Sequence, residues 1–374
     1  MSADGKNSIL TENEYVKTYK TISKKNARKA IIDFDKIEKW NSDNFGNALV
    51  IFAAATCKIN DLTEDDVNRL SSLINEYDKF QNVKSECEIK RDLFFYLGCC
   101  WHELGESYDN RAIEAFKKYL YYIISPSSYA NLLPEAYAFR KCNKFLYQSL
   151  INDQLNISSP TTFNDPFDCP IRVLLKLLNK GDEISKLVRY AYQDCLKIAC
   201  FTSNIAYDDV FKHKKHRNDK DEFSNELMWA HYADSHKGIC IKYHFSIYIS
   251  KLMNEDKNVV SYFKDVKYSS KKLSSYSKKG SISVEDAFFL KGKKWEYENE
   301  LRFLHFDLNG KGEHGIIKIP NCIEAIYFGL ECSEKDKETI INIMKSKPVE
   351  FYQMEFDKQH FGRLKAVKIE NQTD

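Results

Sequence analysis

The chain lacks the features that would tie it to a membrane, an oxidising compartment or a zinc centre. No apolar run approaches the roughly 20 residues that a membrane-spanning helix needs, so no span is expected. The opening MSADGKNSIL holds no apolar stretch of signal-peptide length, and the expected location is the cytoplasm. The 11 cysteines include no CxxC pair and one adjacent pair, Cys99 and Cys100, a pattern of free, buried thiols rather than a disulfide framework. Neither the cysteines nor the histidines have zinc-ligand spacing. Glycine-rich phosphate loops are missing, which argues against a P-loop and a dinucleotide-binding Rossmann domain. Neither sign of charge dominates: 56 basic residues balance 54 acidic ones for a formal +2, so a preference for nucleic acid has to come from a local patch.

Apolar and aromatic residues are plentiful, at 43% and 14%, enough over 374 residues for two cores. From about Glu12 to Pro126 apolar residues recur at helical spacing. The clearest part runs from Arg91 to Ile123, where small residues at Gly98, Ala112 and Ala115 let two helices approach and aromatics fill the seam. That segment resembles a tetratricopeptide-type hairpin, with a plain helical bundle as the other reading. The break SPSSYANLLPEAY, Ser125 to Tyr137, marks a boundary. Residues 1–130 are therefore expected to form an all-helical domain that binds a protein partner. Residues 131–374, where short strand-like runs alternate with helices and loops, are expected to form an α+β domain.

Within the second part, WEYENELRFL, Trp295 to Leu304, reads as one strand. A two-residue period puts Glu296, Glu298, Glu300 and Arg302 on one face and Trp295, Tyr297, Leu301 and Phe303 on the other, interrupted by Asn299. So dense a row of carboxylates is solvated, paired with bases, or lining a site. FNDPFDC, Phe163 to Cys169, is either an Asx-type turn or a source of oxygen ligands, Asp165 and Asp168, which with Glu298 and Glu300 suit magnesium. Lys291, Lys293 and Lys294 would complete the ingredients of a metal-dependent nuclease. In LMWAHYADSHKG, Leu227 to Gly238, His231 and Tyr232 either pack in the core or line a pocket in which Tyr232 stacks on a flat ring. Lysines and tyrosines from Lys264 to Lys279 form either a solvated loop or a basic flap for a nucleic-acid backbone.

The three motifs FNDPFDC, LMWAHYADSHKG and WEYENELRF, in this order and spacing, resemble the bacterial family called domain of unknown function 2971, over roughly Ala136 to Phe356. An arginine-bearing strand, a strand ending in serines and a late Glu-x-Glu also resemble the layout of ADP-ribosyltransferases. That resemblance implies a mixed-sheet fold and NAD as cofactor. It implies Arg140 as a phosphate or ribose clamp, and Ser158 or Ser159, or else Ser203, beside the nicotinamide ribose. Glu298 and Glu300 would then stabilise the oxocarbenium-like state and activate the acceptor, with His231 and Tyr232 in the same pocket. A toxin or phage-defence effector would suit such a pairing of recogniser and catalyst. The alternatives are the magnesium-dependent nuclease and a protein that only binds a partner or nucleic acid.

Overall fold

The computed structural model describes residues 11–37, 42–78, 86–124, 135–165, 167–170, 182–203, 205–206, 215–216, 222–245, 256–271, 284–360 and 362–370. The chain divides into two compact units. Met1–Ser125 with Leu178–Tyr192 forms the first, and Pro126–Leu177 with Gln193–Asp374 the second.

The first unit is helical throughout its described residues. Up to residue 124 its described α-helices are α1 (Glu12–Thr18), α2 (Ala27–Phe34), α3 (Ser42–Thr56), α4 (Glu64–Tyr77), α5 (Glu86–Glu103) and α6 (Asp109–Ile124), and the helix Asp182–Cys195 belongs to it as far as Tyr192. Capping boxes start α1, from Thr11 and Glu14, and α4, from Thr63 and Asp66, each satisfying backbone donors that a helix leaves open. Gly105, at φ 115°, turns the chain out of α5. Gly98 lies so close to Phe116 that a Cβ there would fall 2.7 Å from its ring, so glycine is what lets α5 and α6 pack. Phe94 and Tyr122 then stack across the same seam at 5.7 Å.

The second unit is α+β. Strand β3 (Leu196–Thr202) is its branch point. Along one edge it pairs over its whole length with β10 (Glu300–Asp307), which pairs in turn with β7 (Val259–Asp265). Along the other edge β3 meets two strands at single positions. Ile198 pairs with Ser158 of β2 (Gln154–Ser158), and Thr202 pairs with Tyr137 of β1 (Glu135–Arg140). Beyond β2 lies β11 (His314–Lys318). Beyond β1 come β6 (Ile239–His244), β12 (Ile323–Phe328), β13 (Glu350–Phe356) and β14 (Leu364–Lys368). Every pairing in this sheet is antiparallel except β12 with β13, which the helix Glu334–Met344 connects.

Facing residues share a face, so the register sorts the side chains. Ala136, Ala138, Ala199, Phe201, Leu301 and Phe303 point into the main apolar core, which α7 (Lys144–Ile151) covers with Leu146 and Leu150. Each buried large apolar side chain of this kind stabilises the fold by about 1.5–3 kcal/mol. The opposite face carries Tyr137, Cys200, Thr202, Glu300 and Arg302. It is the face that holds polar groups.

The stretch from Trp295 to Leu304 is not one strand. Lys293–Glu298 winds as a 3-10 turn, Asn299 takes a left-handed conformation at φ 45°, and the strand begins only at Glu300. Asparagine tolerates that conformation better than most residues, and it resets the direction of the chain. As a result Glu296 is exposed while Glu298 and Glu300 are both buried.

Candidate functional site

Two glutamates, an aspartate, a lysine and an arginine meet on the polar face of the sheet. Glu298 hangs from the end of the 3-10 turn, and Glu300 and Arg302 project from β10. Lys291 comes from the short strand β9 (Leu290–Gly292), held parallel to β8 (Lys267–Ser269). Asp168 follows a turn in which its own N–H donates to Asp165 carbonyl oxygen at 3.0 Å. Tyr232 ends the helix Glu226–Tyr232, whose first turn is capped by Asn225.

The contacts are close. Lys291 Nζ lies 2.5 Å from Glu298 Oε2, 3.1 Å from Glu300 Oε2 and 3.3 Å from Asp168 Oδ2. Arg302 Nε donates to Glu300 Oε1 at 2.8 Å, and its Nη2 to Asp168 Oδ1 at 2.6 Å. Its Nη1 is taken by the Phe288 carbonyl oxygen at 2.6 Å and by Cys169 Sγ at 2.8 Å. Arg302 is fully buried and its fork is committed, so it is scaffold. Tyr232 hydroxyl donates to Glu298 Oε1 at 2.5 Å. Glu300 N–H donates to Tyr268 hydroxyl at 2.8 Å.

Three carboxylates against two cations leave one formal negative charge when all five are ionised. The two glutamates respond in opposite directions. Burial pushes the Glu298 carboxyl up and the neighbouring Glu300 charge adds to it, more than Lys291 and Tyr232 can offset. For Glu300, burial works upward too, but the Arg302 and Lys291 charges outweigh it and hold the carboxyl down to about 2. Burial also lifts the Tyr232 phenol, with Glu298 reinforcing the effect. Burial on its own would lower Lys291, yet Glu300, Asp168 and Glu298 together raise it, so the ammonium stays charged.

The group opens on a cleft of about 450 Å³ whose lining includes Asp168, Tyr232, Lys291, Glu298 and Glu300, with Tyr137, Phe139 and Phe163 as aromatic wall. Part of the cleft is a gap in the sheet. Among the described residues, the outer edge of β3 has no ladder partner between Ile198, which meets β2, and Thr202, which meets β1.

The residues expected from the sequence fall in different places. Glu298, Glu300, Tyr232 and Ser158 line the cleft. Ser158 Oγ is 3.1 Å from His314 Nδ1. Ser159 is buried and caps a short 3-10 turn through Thr161 N–H, and Ser203 Oγ donates to Glu135 carbonyl oxygen. Neither is among the residues that line the cleft. Asp165 builds an Asx turn, accepting from Phe167 N–H at 2.8 Å and from Trp295 Nε1 at 2.9 Å, and does not join Asp168 as a ligand.

Arg140 lines the cleft from a different direction. Strand alternation puts it with Ala136 and Ala138, on the face opposite Glu300, and its Nη1 donates to Phe139 carbonyl oxygen at 2.9 Å. Being last in β1, it reaches the rim of the cleft from behind instead of facing the carboxylates. His231 is exposed, 6.3 Å from the Tyr297 ring, and lies outside the cleft lining. The expected basic flap, Lys264 to Lys279, is described only in part. Lys264 is buried and bound to Glu285 and Asp286, and residues 272–279 lie outside the described residues.

Lys291 and Arg302 are the centre of the cluster. In the sequence nothing distinguishes Lys291 from Lys293 and Lys294, and the even spacing of Arg302 from Glu300 is the one signal of their pairing. Among the described residues no helix is long and apolar enough to cross a membrane. Neither the curated proteins nor the solved structures contain a match to this chain. One family model, described as protein of unknown function (DUF2971), matches residues 228–303, the span that holds Tyr232, Lys291, Glu298, Glu300 and Arg302.

Proposed function

We propose that the cleft is an active site for ADP-ribosyl transfer from NAD, with Glu298 as the reacting carboxylate. The observation that carries this reading is the pair of glutamates two residues apart whose carboxyls are driven in opposite directions, one up and one down. Such pairs divide into a proton-exchanging group and a fixed charge. Breaking the nicotinamide–ribose bond sends its electron pair out with neutral nicotinamide and leaves positive charge on the ribose. A buried cluster with one net negative charge stabilises that charge where water is excluded. The acceptor then bonds to the ribose carbon and yields its proton to Glu298, whose carboxyl is pushed up by burial and the Glu300 charge and so holds a proton more readily than a free glutamate. Glu300, locked by Arg302, stays ionised and holds Lys291 in place. Tyr232 orients Glu298, the aromatic walls suit a flat ring, and Arg140 at the rim suits a phosphate.

The metal-nuclease reading draws less support. Lys291 ammonium already sits among the three oxygens that a cation would share, and Asp165 is committed to Trp295. The test is nicotinamide release from NAD by the full chain, with and without magnesium. Release that is independent of magnesium and falls about 10²–10⁴-fold in Glu298→Gln is the expected result. No release, together with magnesium-dependent cleavage of nucleic acid, would replace this reading with the other.

A further inference from the structure

A second, smaller cavity of about 200 Å³ lies on the other face of the sheet, between α7 and strands β1 and β2. Its floor is apolar, formed by Leu146, Leu155, Ile241 and Tyr243. Its rim is not. Arg140, Lys141 and Gln154 line it and no carboxylate does, while Asn143 caps α7 through Phe145 and Leu146 N–H and Asn156 donates to Ser149 Oγ at 2.8 Å. Phe145 stands at the mouth with 61% of its surface exposed, and Lys144 Nζ lies 5.1 Å from that ring. The contrast with the cleft is one of sign: carboxylates gather on one face and unopposed cations on the other. Arg140 and Asn156 line both cavities, at the gap where β1 and β2 part along β3.

We propose that this groove binds a segment of single-stranded nucleic acid, which it delivers through the gap toward Glu298 as the acceptor. The ligand chemistry follows from the rim. An exposed aromatic ring offers a stacking surface to any base, the cations match one phosphate per nucleotide, and the Gln154 amide can bond a base edge. The volume holds one ring rather than a whole drug-sized molecule, so most of the strand would run along the surface. An acidic peptide would satisfy Arg140 and Lys141 but would leave the exposed ring without a role. The acceptor role rests on the transferase reading, whereas binding in the groove does not.

Binding is measured without NAD, by fluorescence anisotropy of a labelled 12-nucleotide single strand, as RNA and as DNA, against a labelled poly-glutamate peptide of equal length. The expected result is binding of a single strand in preference to the peptide. Phe145→Ala, at an exposed position, should weaken it about tenfold. Lys141→Glu should weaken it as well and reduce the slope of log K against log salt by about 0.7, the value for one phosphate on a single strand. Glu298→Gln should bind the strand as the unaltered chain does. No binding, equal binding of the peptide, or binding indifferent to both groove substitutions overturns the proposal. Strand binding in a chain that never releases nicotinamide sinks the transferase reading and the acceptor role with it while binding in the groove stands, and nicotinamide release without strand binding sinks this proposal alone.

Discussion

The two units use charge in opposite ways. In the helical unit Arg69 and Asp35 form an ion pair with 43% and 48% of their side-chain surface in solvent, and Arg111 and Glu64 do the same with 53% and 43%. In the α+β unit Arg302, Glu300 and Asp168 retain 0%, 3% and 7%. Exposed pairs contribute little because water and salt screen them. Buried ones must recover a desolvation cost of several kcal/mol per ion, and a well-packed apolar set of the same volume often does as well. Stability alone therefore explains the helical pairs but gives no reason to bury five ionisable groups under one cleft. The chemical task proposed for the cleft would supply one.

The largest expected effect is Arg302→Leu. It strands Glu300 and Asp168 in a buried site and should cost about 3–5 kcal/mol, read from the midpoint of urea unfolding. The pH dependence sharpens the same contrast from within the cluster. Glu300, held below its ordinary 4.5, contributes stability that is present above that pH and is lost as pH falls toward about 2. Glu298, raised above 4.5, acts with the opposite sign: its contribution is present below 4.5 and is lost as pH rises through its folded value. Urea titrations between pH 2 and pH 8 should thus show Glu300→Gln flattening the acid limb by on the order of 2 kcal/mol. Glu298→Gln should leave that limb in place and remove the loss above it.

Tyr232→Phe is expected to act more finely. It removes the donor at 2.5 Å that favours ionised Glu298, so the acid limb of the rate profile should move to higher pH, at a stability cost of about 1 kcal/mol. Smallest of all is Arg69→Ala in the helical unit, expected to cost about 1 kcal/mol or less. Equal losses for Arg302→Leu and Arg69→Ala would erase the distinction between the units.

Much of this architecture is legible in the sequence, and the reasons it stops being legible are physical. Periodicity identifies the helical part because apolar residues such as Phe116 and Leu120 are buried on one helix face. The importance of Trp295 to Leu304 shows in its density of carboxylates, but its conformation does not, because a single left-handed residue, Asn299, breaks the two-residue period. Asn299 is also where the sequence pattern itself falters, which is the available clue. Arg140 illustrates a different limit. Which face it occupies depends on the register of β1 against β3 through Tyr137 and Thr202, a long-range pairing that no local pattern encodes. Lys291 was hidden for the same reason: its partners lie 123 residues before it and 7 and 9 after it, in segments joined only by folding.

The central claim is that Glu298 acts chemically while Glu300 and Arg302 hold it. The most direct measurement is the time course of nicotinamide release from NAD by the full chain beside Glu298→Gln, with urea midpoints recorded for both. The account predicts release by the unaltered chain and a fall of about 10²–10⁴-fold in the variant, at nearly equal midpoints. Equal release by the two proteins, or release by neither, would contradict it.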